Sequence, residues 1–105
     1  MMEISAHELL EQMQGDSPPL IVDVRSGFEY ASGHLPGALH LPFWQIPMRA
    51  AGKISDKKAS LVLYCQHGPR AVLAGFLLKR LGYQKVALLK GHMSRWCHER
   101  RVVER

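Results

Sequence analysis

Two hydrophobic periods alternate along this chain. Residues 20–24, "LIVDV", 61–65, "LVLYC", and 85–89, "KVALL", are short, β-branched and nearly unbroken apolar runs. Runs of that length predict parallel strands buried on both faces. Elsewhere the apolar spacing widens to three and four. Over residues 70–81 it predicts a helix with Leu73, Phe76, Leu77 and Leu81 turned inward. Gly82 stands where a helix-ending glycine belongs.

Two Ser-x-x-Glu patterns mark helix starts. In Ile4-Ser5-Ala6-His7-Glu8-Leu9, Ser5 caps, Glu8 reaches back, and Ile4 and Leu9 form a hydrophobic staple. That helix is expected to end at Gly15. Ser26 to Glu29 repeats the pattern, so a short helix should follow the first of these strands. "GHLPGA" is a turn cluster, and "ALHL" is a short strand candidate. Residues 42–54 read as a loop with a helical turn or two, because Pro42 and Pro47 limit a helix there. Gly91 turns the chain, and residues 93–101 read as helix. Strands and helices in alternation predict an α/β domain with a mainly parallel sheet and helices on both faces.

Composition narrows the classes. The 105 residues, 47% of them hydrophobic, suit one domain with one core. No apolar run approaches a membrane span, and "MMEISAHELLEQ" lacks the form of a secretory signal, so a cytoplasmic protein is expected. Cys65 and Cys97 are the only cysteines, too few for a disulfide framework. No histidine pair has ligand spacing, so no metal is expected. The net charge of +5 hints at anionic partners. Without an arginine-rich run or an aromatic-interleaved basic stripe, an anionic small molecule is expected rather than nucleic acid.

The stretch "YCQHGPRA", residues 64–71, concentrates the candidate chemistry. Cys65 falls at the C-terminal end of a predicted parallel strand, where open α/β sheets place their ligands. The chain must then turn into a helix through Gln66, His67, Gly68 and Pro69 to Arg70. Successive amides in such a turn form a concave anion site, and the helix N-terminus adds partial positive charge. Arg70 adds a full charge. Helix N-termini and nearby cations favour the thiolate, the nucleophilic form of cysteine. Gly68 permits a positive φ, and Pro69 suits the first helical turn although it removes one donor. A buried filler cysteine needs none of this, so a nucleophile is favoured.

These residues resemble the active-site half of the rhodanese family: a strand, a Cys-x-x-Gly-x-Arg-like loop, an amphipathic helix, Gly82-Tyr83, a strand, Gly91, and a helix with Trp96. Upstream, "LIVDVRSGFEYASGHLPGALHLP" is similar to the family's N-terminal signature. The resemblance runs from about Leu20 to Trp96 and implies a rhodanese-like fold with a five-stranded sheet. It implies sulfur transfer without a cofactor. Cys65 would take sulfane sulfur from thiosulfate or another persulfide donor and pass it to cyanide or to a thiol such as glutathione or thioredoxin. An alternative is a non-turnover persulfide carrier serving a sulfur-relay partner protein. Four residues separate Cys65 from Arg70, whereas the related phosphatases and arsenate reductases have five, which disfavours those activities. Pro69, His67 and His92 depart from the commonest family pattern.

Other residues carry weaker expectations. Asp23 and Arg25 either charge the pocket or form an internal ion pair, and the ion pair is favoured. His34 is expected to fix a turn. His67 either donates a proton or is merely exposed. Phe43 and Trp44 either rim the site or pack in the core, with the core favoured. Cys97 is read as structural rather than as a resolving thiol.

Overall fold

The computed structural model describes residues 1–105. Strands β1 (Met2–Ile4), β2 (Leu20–Asp23), β3 (Leu39–His40), β4 (Ser60–Tyr64) and β5 (Lys85–Leu89) form one sheet in the order β1-β5-β4-β2-β3. Every neighbouring pair is parallel. The helices are α1 (Ala6–Met13), α2 (Gly27–Ser32), α3 (Ile46–Lys53), α4 (Pro69–Arg80) and α5 (His92–His98), with a 3-10 turn at Phe43–Gln45.

Strand pleating splits the core in two, because successive side chains point to opposite faces. Val22, Val24, Leu61, Leu63 and Cys65 pack with Ile46 and Ala50 of α3 and with Ala71, Ala74 and Leu78 of α4. Ile21, Val62 and Tyr64 pack on the other face with Leu9 of α1 and with Met93 and Trp96 of α5. Helices therefore cover both faces, and Cys65 looks toward the α3–α4 side. Both capping boxes form, Ser5 with Glu8 and Ser26 with Glu29.

Four elements differ from expectation. β1 is a three-residue edge strand whose first two residues are exposed, too short to show a period. Residues 46–53 form a full helix, because Pro47 stands in its first turn, where a missing N–H breaks no intrahelical bond. α5 ends at His98, three residues early.

The fourth difference is the face that α4 buries. Leu73, Phe76 and Leu81 are exposed and Leu77 is half-buried, while Ala71, Ala74, Gly75 and Leu78 are buried. Both sets have helical spacing. The small set wins because Ala and Gly let the helix backbone approach the sheet closely.

Candidate functional site

β4 lies in the middle of the sheet, and α4 begins five residues after its last residue, Tyr64. The connecting loop must reverse direction within Cys65–Gly68. Gly68 makes this turn at φ 132°, in the region that favours glycine. Its N–H donates to the Cys65 Sγ at 3.0 Å. Cys65 itself is 0% exposed, while its loop neighbours His67 and Pro69 are exposed.

Three of the loop carbonyls are engaged elsewhere. Cys65 O accepts from the Met93 N–H and Gln66 O from the Ser94 N–H, each at 3.0 Å, so the first turn of α5 holds both. Gly68 O accepts from the Val72 N–H inside α4. The amides of Gln66, His67, Arg70 and Ala71 have no acceptor within the protein. Three carbonyls tied off and four amides left free make an electropositive loop, which the N-terminus of the 12-residue α4 reinforces. Such a loop can hold negative charge on or beside the Cys65 sulfur.

His92 completes this environment and was not foreseen as a site residue. Its Nδ1 accepts the Cys65 backbone N–H at 3.3 Å. A side-chain carbon on Gly68 would lie 3.2 Å from its Nε2, so the ring also fixes Gly68 as glycine. Burial pushes the imidazole pKa down, which keeps Nδ1 an acceptor. His92 adopts φ 53°, a left-handed conformation in which histidine is enriched among residues other than glycine. The available signal was topological. β5 neighbours β4, so the turn after β5 must lie beside the cysteine loop.

The expected free charge of Arg70 needs correction. Its guanidinium makes two hydrogen bonds to the Glu29 carboxylate, at 2.6 and 2.9 Å. Those bonds hold the Glu29 pKa down at about 2 and raise that of Arg70. The cation therefore reaches the loop already neutralised by α2.

Asp23 and Arg25 form the internal ion pair. Asp23 is fully buried and accepts from the Arg25 backbone N–H, from its Nε and Nη2, and from the Tyr64 hydroxyl. Burial opposes the Arg25 charge, and its bonds to Asp23 outweigh that, leaving its pKa raised. Burial raises the Tyr64 pKa strongly, and Asp23 adds to the effect. Arg25 also donates to Gly33 O at 2.6 Å and to Gln66 Oε1 at 3.2 Å, so it steadies the loop from below. His34 fixes a turn: its Nδ1 donates to Tyr30 O at 2.8 Å and its ring stacks on Tyr30.

Two other expectations change. Trp44 is 53% exposed, and only Phe43 packs against the core. Cys97 is exposed rather than structural, because it sits on the outer side of α5 from Trp96. It lines a cavity of about 330 Å³ beside the loop, together with Arg25, Glu29, Gln66 and Met93. No three His, Cys, Asp or Glu side chains gather to hold a metal ion, and no helix is long and apolar enough to cross a membrane.

Fold and loop together define a class: α/β domains with a cysteine at the base of an amide-lined turn, at the C-terminal edge of a parallel sheet. The model of the rhodanese-like domain matches residues 5–99, and the chain belongs to that family. It is 34% identical over 94 residues to a sulfurtransferase of Allochromatium vinosum, covering 90% of this chain and 86% of that protein. It is 34% identical over 92 residues to the tRNA uridine(34) hydroxylase of Hamiltonella defensa, covering 84% of this chain but only 26% of the relative. The crystal structure of SSP1007 from Staphylococcus saprophyticus superimposes with a TM-score of 0.85 at 28% identity, and each chain is fully covered. The thiosulfate sulfurtransferase of Pseudomonas aeruginosa superimposes with a TM-score of 0.91 at 23% identity, covering all of this chain and 20% of that one, and shows the shared fold. Family and relatives support sulfur transfer as the general chemistry.

Proposed function

We propose that the protein is a sulfurtransferase working through a persulfide on Cys65. The observation carrying this reading is the Gly68 N–H on Cys65 Sγ, in a loop where the Cys65, Gln66 and Gly68 carbonyls are tied off and the Gln66, His67, Arg70 and Ala71 amides are free. The Cys65 thiolate attacks the outer sulfur of thiosulfate. The donor's S–S bond breaks, and sulfite leaves with the electron pair. An acceptor thiolate or cyanide then attacks the terminal sulfur of the persulfide, and Cys65 leaves as thiolate. The loop amides stabilise the anion at each stage without a metal. Cys65, Gln66, His67, Gly68, Pro69 and Arg70 form the substrate loop, and Asp23, Arg25 and His34 support it. Glutathione, thioredoxin or a relay protein is the cellular acceptor class. A reducing, cytoplasmic setting suits the two free cysteines.

A second reading has its own observation. The pairing of Arg70 with Glu29 withdraws the loop's one full charge from a small anionic donor. That favours a carrier loaded by another protein's persulfide over rapid turnover of free thiosulfate. Intact mass after incubation with thiosulfate, followed by thiocyanate release on adding cyanide, separates the readings. Gain of one sulfur, lost in Cys65→Ser, with sustained thiocyanate supports the enzyme. Loading without turnover supports the carrier, and no loading from any sulfane donor defeats both.

A further inference from the structure

The outer surface of α3 and α4 breaks the usual rule for solvent-facing helices. Trp44, Met48, Val72, Leu73 and Phe76 are all exposed, Met48 at 87% and Phe76 at 62%. Single exposed apolar side chains are ordinary, but five on one face form a patch. The 3-10 turn, α3 and α4 pack against one another over the same face of the sheet, so these side chains belong to one surface. That surface begins at the cysteine loop, because the Val72 N–H donates to Gly68 O.

Its charge is one-sided. Between Glu29 and Glu99 the only side-chain carboxylate is Asp56, next to Lys57, which donates to Leu81 O, so this carboxylate lies beside the C-terminal end of α4. Arg49 on α3 and Lys79 and Arg80 in the last turn of α4 are all exposed and none is in an ion pair, although Lys79 also borders a cavity lined by Glu3 and Glu8. The basic residues outnumber the acidic ones on this face and draw negatively charged partners to it.

We propose that this face docks an acidic protein that projects an apolar segment onto α4 and brings its sulfur-bearing residue to Cys65. The proposal deepens the sulfur-transfer reading and rests on it. Apolar residues favour protein over RNA, since Met48, Val72 and Leu73 offer phosphate nothing and only Trp44 and Phe76 can stack on a base. Acidic groups at the partner's rim would complement Arg49, Lys79 and Arg80, and the apolar segment would cover Leu73 and Phe76. The resting burial of Cys65 fits delivery by a docked partner.

Fluorescence anisotropy tests the surface independently of sulfur chemistry. The probes are a fluorescein-labelled peptide of alternating Glu, Leu and Phe ending in Cys, the same peptide with Lys for Glu, and a labelled single-stranded RNA. The acidic peptide is expected to bind about tenfold tighter than the Lys peptide and to weaken with salt. Leu73→Ser with Phe76→Ser, and Arg49→Glu with Lys79→Glu, should each weaken it about tenfold while thiosulfate–cyanide turnover is unchanged. Equal affinity for both peptides, no effect of either double variant, or preference for RNA would overturn the docking surface. Cys65 loading with sulfur but no peptide discrimination removes the docking surface alone. Peptide discrimination without any loading of Cys65 removes the transfer reading alone.

Discussion

Arg70 on α4 and Glu29 on α2 are joined by two hydrogen bonds, at 2.6 and 2.9 Å, so the cation nearest the cysteine loop is held by a neighbouring helix. Glu29 also closes the capping box of α2 by accepting from the Ser26 N–H. One carboxylate thus sets both the start of a helix and the charge of the loop.

Glu29→Gln separates these two roles, because glutamine still completes a capping box. The variant should release the Arg70 charge and lower the KM for thiosulfate by about threefold, an effect that fades at high salt. Steady-state thiocyanate assays at two ionic strengths check it. An unchanged KM would mean that the Arg70 charge does not reach the donor.

The same pair sets an acid limit. Glu29 titrates at 4.5 when free and at about 2 in the folded chain. The folded pKa is the lower one, so the stabilisation is complete above 4.5 and is lost as pH falls toward 2. Urea denaturation of wild type and Glu29→Gln should show a stability gap that closes across this window.

His92 gives a second pH window of the same sign. Burial lowers its folded pKa below the ordinary 6.5, so its contribution is complete above 6.5 and declines as pH falls below it. His92→Asn keeps an acceptor for the Cys65 N–H and tolerates the left-handed backbone. It should fold well and lack this pH response. His92→Leu strains the backbone and strands a buried N–H, and should cost about 2–4 kcal/mol in urea titrations.

Asp23→Asn leaves the buried Arg25 guanidinium without its carboxylate and should destabilise the protein by about 3–5 kcal/mol. Gln66 would lose its steadied partner as well, so sulfur loading should fall at temperatures where the variant is still folded. Calorimetry paired with intact mass separates the two effects.

The two thiols should react in a fixed order. Cys97 is exposed and Cys65 is fully buried, so a bulky maleimide should modify Cys97 first. Thiosulfate should load only Cys65. Mass spectrometry of wild type, Cys65→Ser and Cys97→Ser reads both outcomes.

Much of this arrangement is legible in local sequence. β4 and β5 are apolar runs, and Ser-x-x-Glu at 5–8 and 26–29 announces two helix starts that form as read. The cysteine loop is legible because a strand, a glycine turn and a helix start leave few ways to place Cys65. The Asp23–Arg25 pair is legible because buried charges require partners. Structure and expectation part where local pattern permits two answers. The helix over 69–80 has two apolar stripes, and Pro47 both starts and forbids a helix depending on where the first turn falls.

The sequence by itself determined the α/β alternation and the cysteine at the strand end, because each depends on neighbours within a few residues, and the family, because two such local motifs stand in order along the chain. Tertiary structure alone decided the rest. Glu29 reaches Arg70 across 41 positions and His92 reaches Cys65 across 27, contacts that no local period encodes. Which stripe of α4 faces inward was decided by how closely a helix can approach the sheet, and that choice leaves Leu73 and Phe76 on the surface of the helix that starts at the cysteine loop.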